Sequence, residues 1–231
     1  VTEGASVEAT FAFVDLSGFS VLTEMCGDEQ AASLAGRLLA VTGESLGSGV
    51  TIVKTMGDAV MLRAGETELM VATILQLADR AADEDGFLAL RAGIHRGSAV
   101  QRDNDYFGHG VNVAARITAL AGAGQAVVTD RVRQACAQRG LSPEPLGARQ
   151  LRNIATPMQV YAVGLAAARY PSDPVCRVRV DPAGAASHLR HADRDWWFCS
   201  PECAHRFAAA PAHYASVETV SDRHQRGGFQ D

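Results

Sequence analysis

The sequence predicts an α+β domain built on a ferredoxin-like βαββαβ sheet, with a small C-terminal metal-binding-like module. Three observations carry the prediction. An apolar run at residues 11–16 (FAFVDL) stops at a Ser17-Gly18 turn. Two short apolar segments, 50–56 and 59–63, are joined tightly through Gly57-Asp58, which reads as a hairpin. Two long stretches of helical periodicity, 30–46 and 66–83, flank that hairpin.

Taken in order, residues 30–46 put Leu34, Ala35, Leu38 and Val41 on one helix face. Residues 66–83 carry the stripe Met70, Ile74, Leu77, Ala78 and Ala81. Residues 88–101 begin as a strand, with Leu88, Leu90, Ala92 and Ile94 alternating inward. After a loop at 103–110, a helix at 111–121 buries Val113, Ile117, Leu120 and Ala121, and Gly122 and Gly124 close it. A strand at 125–129, a short helix at 131–138 and a last strand at 159–163 follow. In a sheet of this kind, helices cover one face and the hairpin lies beside the first strand. Asp15 at a strand end and Asp58 at the hairpin tip then approach each other.

Composition bounds the function. The net charge of −5 gives no basic surplus for nucleic acid or an anionic membrane surface. No run of about 18 apolar residues is present to span a bilayer, and no signal peptide is recognisable. The 231 residues suffice for one domain with a full core and a smaller one. Residues 165–171 read as a linker, giving domains at 1–168 and 172–215 and a loose polar tail at 216–231. Cys26 and Cys136 stand isolated in Ala-rich surroundings and read as small buried side chains in a reducing, cytoplasmic compartment. Of the 21 basic side chains 20 are Arg; the exception, Lys54, is either chance or the mark of a site where a guanidinium would not serve.

The candidate chemistry lies around these positions. Two carboxylates such as Asp15 and Asp58, brought close, can hold divalent cations for phosphoryl chemistry, although each alone could be a turn aspartate making local hydrogen bonds. The turn Ser17-Gly18-Phe19-Ser20 leads into a helix start whose backbone N–H groups can cradle phosphate oxygens. Asn112 and Arg116 are one helical turn apart, Arg suited to phosphate charge and Asn to orienting a sugar.

The segments VDLSGFS, VKTMGDAVM and DYFGHGVNVAARI, in this order, resemble the catalytic domain of class III nucleotidyl cyclases over roughly residues 8–165. The resemblance implies that Asp15, Asp58 and the Leu16 backbone carbonyl bind two Mg²⁺ or Mn²⁺ ions. It implies that Lys54 and Asp105 select the purine, that Asn112 and Arg116 act on the transition state, and that Gly18, Phe19 and Ser20, with Arg152, contact the triphosphate. Adenine offers an acceptor at N1 and a donor at N6, which suit Lys and Asp; guanine presents the opposite pattern. The implied reaction is therefore ATP to cyclic AMP and pyrophosphate in a homodimer, one protomer supplying the metal carboxylates and the other the purine pair and Asn112/Arg116. The loop between Gly97 and Asp105 is short for the family. The alternative is a catalytically silent cyclase-like dimer that responds to metal.

Residues 172–215 have a different texture. Cys176, then Trp196-Trp197-Phe198-Cys199, then Cys203, Phe207 and Tyr214, resemble a YHS domain, a module related to metal-binding TRASH domains. A module this small gains from a metal. Cys176, Cys199 and Cys203 are the candidate ligands for Zn or Cu, with His188, His191 or His205 completing the shell. Arg177 and Val178 depart from that family, where Gly and Met are common.

Overall fold

The computed structural model describes residues 5–215; the tail expected at 216–231 lies outside the described residues. Contacts divide the chain into two compact units. Among the described residues, the first comprises 5–17, 33–81 and 90–167, and the second 18–32, 82–89 and 168–215. The second unit thus draws on two segments from the interior of the sequence in addition to the C-terminal stretch.

In chain order the elements are β1 (Ala5–Leu16), α1 (Phe19–Cys26), α2 (Asp28–Glu44), β2 (Val50–Met56), β3 (Ala59–Ala64), α3 (Thr67–Asp83), β4 (Leu90–Arg102), β5 (Asp105–Phe107), α4 (His109–Thr118), β6 (Gln125–Thr129), α5 (Asp130–Gln138), β7 (Glu144–Arg149), β8 (Met158–Gly164), β9 (Ser187–His191), β10 (Arg194–Phe198), α6 (Pro201–Ala209) and α7 (Pro211–Ala215). The first unit is an eight-stranded sheet in the order β2-β3-β1-β4-β6-β8-β7, with β5 paired to β4. Its first four strands are antiparallel neighbours, the arrangement a βαββαβ sheet requires.

Alternation along β1 sorts its side chains onto two faces. Ala9, Phe11 and Phe13 pack with Met61, Tyr106 and, from α4, Val111 and Ala114. On β6, Val127 meets Val113 and Ile117 of α4, whereas Ala126 and Val128 share the opposite face with Val71 and Ile74 of α3 and Cys136 of α5. Helices therefore cover both faces of the sheet, which corrects the expectation of a single covered face. The cause is local: the apolar stripe of α4 needs a cover, and the odd-numbered side chains of β1 offer an apolar one. Fully burying a residue such as Phe11 stabilises by about 1.5–3 kcal/mol.

The second unit is smaller and organised around Phe207, which is 1% exposed. Its ring meets those of Trp196 at 5.0 Å, Phe198 at 5.3 Å and, edge-on, His191 at 5.9 Å. The β9–β10 hairpin turns through Ala192 and Asp193, both at positive φ. Ser200 caps α6, its hydroxyl accepting from the Cys203 N–H, and Pro201 opens the helix. Residues 82–89 join by a short backbone ladder, Gly86 N–H to Arg179 O and Arg179 N–H to Phe87 O, each 2.8 Å.

Candidate active site

Asp15 lies directly opposite Ala59 of β3 and Arg91 of β4. Arg91 donates from Nε to Asp15 Oδ2 at 2.7 Å, and its Nη2 donates to the same oxygen. Because Ala59 follows Asp58, the register brings the hairpin tip to the end of β1, and Gly57 at φ 63° permits the turn. The Asp58 carboxyl is consequently near enough to that of Asp15 to share a hydrogen bond with it. Burial, then the hydrogen bond and charge of Asp15, raise its pKa to about 6 against the opposing pull of Arg91. Two carboxylates in contact, one reluctant to ionise, form a donor set that a divalent cation relieves, so the residues fit Mg²⁺ or Mn²⁺. The Leu16 side chain is buried, so only its backbone carbonyl could join them.

Lys54 and Asp105 meet across β2 and β5. Lys54 Nζ donates to Asp105 Oδ2 at 2.6 Å, and the Tyr106 N–H donates to Oδ1 at 2.7 Å. Desolvation pushes the Asp105 carboxyl up, but Lys54 and the Tyr106 N–H outweigh it and hold the pKa below the usual carboxylate range. Lys54 pairs with Asp105 although Asp58 is close to it in sequence.

On α4, Asn112 is exposed and Arg116 half-buried. Arg116 Nε is buried with no hydrogen-bond partner among the described residues, an unused donor on a permanent cation. Gly18, at φ 90°, caps α1 without any side-chain hydrogen bond, so no side chain of the cap satisfies the first-turn N–H groups at Phe19 and Ser20. These three belong to the second unit. Arg152 is exposed in the loop between β7 and β8.

A cleft of about 580 Å³ lies elsewhere in the first unit, lined by His95, His109, Thr129 and residues 154–159 among others. It contains none of the candidate residues and lacks paired carboxylates, so volume is a poor guide to the chemistry here. His95 is buried and its Nδ1 lies 2.8 Å from Thr129 Oγ1, a packing role.

Residues 2–164 match the family model for the adenylate and guanylate cyclase catalytic domain. The chain belongs to this cyclase family. A pH-sensitive adenylate cyclase from Mycobacterium tuberculosis is 37% identical over 169 residues, covering 70% of this chain and 42% of its own length. An adenylate cyclase from Streptomyces griseus is 31% identical over 139 residues, covering 57% of this chain and 33% of its own. The chain thus spans less than half the length of these curated relatives. The solved adenylate/guanylate cyclase/hydrolase from Silicibacter pomeroyi has the same fold, with a TM-score of 0.61 at 24% identity over 71% of this chain and 99% of that one.

The cyclase match ends before the C-terminal cysteines. In the second unit Cys176, Cys199 and Cys203 converge, and a residue that sequence reasoning missed joins them. Cys26, at the C-terminal end of α1, places its sulfur in the same cluster, with all four sulfurs within 4.8 Å of one another. The reading of Cys26 as an isolated buried side chain is therefore corrected: it is half-buried among three thiols. His188, His191 and His205 are not part of the cluster; His188 pairs with Asp195 at 2.9 Å. Contacts with Cys199 and then Cys203 push the Cys176 thiol up, while contacts with Cys176 and Cys199 draw Cys203 down. Nothing near Cys26 in sequence signals this, because its partners lie far along the chain.

Proposed function

We propose that the protein is an adenylate cyclase that converts ATP to 3′,5′-cyclic AMP and pyrophosphate as a homodimer, with the C-terminal unit as a metal-dependent regulatory module of YHS type. The observation that carries the reading is the convergence of Asp15 and Asp58, two carboxylates set in contact where a strand ends and a hairpin turns. Asp15, Asp58 and the Leu16 carbonyl would hold Mg²⁺ or Mn²⁺. Bound there, the ions supply the positive charge that favours the 3′-alkoxide and the leaving pyrophosphate.

The remaining work falls to this chain's own side chains. Lys54 donates to adenine N1 and Asp105 accepts from the N6 amine, a pattern guanine mismatches at both positions. Arg116, with its unused Nε donor, meets charge developing on the α-phosphate, and Asn112 orients the ribose. The first-turn N–H groups after Gly18, with Arg152, receive the β- and γ-phosphates. Since one chain carries every role, a two-fold dimer with the purine pair and Asn112/Arg116 facing the partner's carboxylates has two complete sites.

The test is cyclic nucleotide production from ATP and from GTP with Mn²⁺ or Mg²⁺, on the wild type and on Asp58→Ala. Cyclic AMP from the wild type, lost in a variant that still dimerises, is the expected result. No product from a dimeric wild type with either metal would favour the silent, metal-responsive alternative.

A further inference from the structure

We infer that Cys26 completes a closed four-thiolate site with Cys176, Cys199 and Cys203, of a kind that takes Zn(II), and that the bound ion fixes helix α1. The inference rests on reading the three C-terminal cysteines as a metal site and adds a fourth ligand from the cyclase sequence itself.

The sulfur spacing is close to that of a tetrahedral site. Bonds of about 2.3 Å from a central Zn²⁺ set sulfurs roughly 3.8 Å apart. Cys199 Sγ lies 3.8 Å from Cys203 Sγ and 3.3 Å from Cys176 Sγ, and no pair among the four exceeds 4.8 Å. None of the four is in a disulfide. A closed set of four sulfurs leaves no position for a water or substrate, which marks a structural rather than a catalytic centre.

The scaffold holds these sulfurs in place. Asp173, 0% exposed, accepts from the N–H groups of Val175 at 2.8 Å and Cys176 at 3.4 Å through Oδ1, and from the Cys199 N–H at 2.9 Å through Oδ2. One carboxylate therefore ties together the two backbone segments that present Cys176 and Cys199, a common arrangement behind metal ligands. Arg177 turns the chain through φ 72° just after Cys176, and the Ser200 hydroxyl fixes Cys203 through its N–H at 3.2 Å.

Helix α1 reaches the cluster from elsewhere in the chain. It ends at Gly27, whose N–H bonds back to Thr23 O at 2.9 Å, so Cys26 is held in the last turn. Arg206 Nη1 of α6 lies 3.1 Å from Met25 Sδ, a second contact between that turn and the helix carrying Cys203. The opposite end of α1 is the turn at Gly18-Phe19-Ser20, which no side chain caps, and Arg177 packs beside it, its Cδ 3.2 Å from where a Gly18 Cβ would stand. The metal would thus clamp one end of a short helix whose other end is the proposed triphosphate turn. Its binding energy becomes folding energy for this unit.

The experiment uses the full chain, reduced, stripped with EDTA and titrated with Zn²⁺ against a chromophoric chelator, with Co²⁺ as spectroscopic substitute. One Zn²⁺ per chain is expected. It should protect Cys26 as well as Cys176, Cys199 and Cys203 from iodoacetamide in peptide mass mapping, and slow amide exchange in residues 19–26. Cys26→Ser should weaken zinc at least about tenfold and change the four-thiolate Co²⁺ spectrum. Zinc bound by the wild type with Cys26 alkylated as fast as in EDTA would overturn the role of Cys26 and leave the three-cysteine site standing. No zinc bound by the wild type, or binding unaffected by Cys203→Ser, would overturn both. The alkylation pattern is read on the wild type, so a misfolded variant does not blur the result.

Discussion

Lys54 and Asp105 satisfy each other: the ammonium lies 2.6 Å from Oδ2 and 5.6 Å from the centroid of the Phe107 ring. Both side chains are partly exposed, so the pair is available to a purine while held in position. An incoming adenine would exchange the direct ion pair for one hydrogen bond to each partner. Removing either side chain takes away one base contact and leaves the other charge unmatched. Lys54→Ala and Asp105→Ala are each expected to lower kcat/KM for ATP about 10- to 100-fold, the size of a charge-assisted hydrogen bond. The proposed preference for ATP over GTP should fall toward parity, measured as cyclic AMP and cyclic GMP formed at matched substrate concentrations. An ATP preference intact in both variants would assign purine choice to other residues.

Asp58 is strained by its neighbour, and this predicts an opposition between metal-free stability and metal response. Its carboxyl, raised to about 6 by burial and by Asp15, binds a proton more tightly folded than unfolded. Metal-free stability from this group is therefore greatest at low pH and declines as pH rises from about 4 through about 6. Asp58→Asn removes that penalty. Without metal the variant should melt higher than wild type at pH 7.5, with the difference shrinking as pH falls below 6. With Mn²⁺ the order should reverse, because only the wild type gains from the ion. Thermal melts with and without Mn²⁺ at both pH values check this; equal metal-induced shifts would remove Asp58 from the ligand set.

Periodicity made β1, the β2–β3 hairpin and α3 legible, since each carries an apolar stripe or alternation strong enough to fix its type and face. It gave no sign of β7, an edge strand whose side chains are exposed or half-buried throughout, or of β9, which is largely polar. It also left open which face α4 would cover. Its stripe required a partner, but only pairing of β1 with both β3 and β4 creates the apolar surface that α4 uses. Asp15 and Asp58 were readable as neighbours from hairpin topology, whereas Asp105 entered only through family resemblance. Cys26 was not legible by any local rule, since its partners begin at Cys176.

His95 predicts an acid limit on stability. Burial, then the charges of His109 and Arg131, lower its pKa to about 4, so the folded protein holds it neutral against Thr129. The unfolded chain protonates near 6.5. The stability tied to the neutral ring is therefore fully present above about pH 6.5 and is lost as pH falls through about 4. The loss amounts to about 3 kcal/mol when complete. His95→Gln, which can still hydrogen-bond to Thr129, should flatten the acid side of a stability–pH curve measured by urea denaturation between pH 4 and 7. A curve of unchanged steepness would mean that His95 is protonated in the native state.

The proposed division of labour between protomers predicts complementation between two inactive variants. Arg116→Ala removes the cation proposed to meet transition-state charge, and loss of one such donor costs about 10²–10³ in kcat. Asp58→Asn removes one of the two proposed metal carboxylates. Each homodimer should be nearly inactive. If carboxylates and Arg116 of one site come from opposite chains, a mixed dimer has one doubly damaged site and one untouched site. Random exchange makes about half the dimers mixed, so the mixture should recover roughly a quarter of wild-type activity. If all the residues of a site came from one chain, every site in the mixture would carry one lesion and no activity would return. Co-refolding the two variants and assaying cyclic AMP separates these cases, because recovery requires an interface that joins Asp15 and Asp58 of one protomer to Asn112 and Arg116 of its partner.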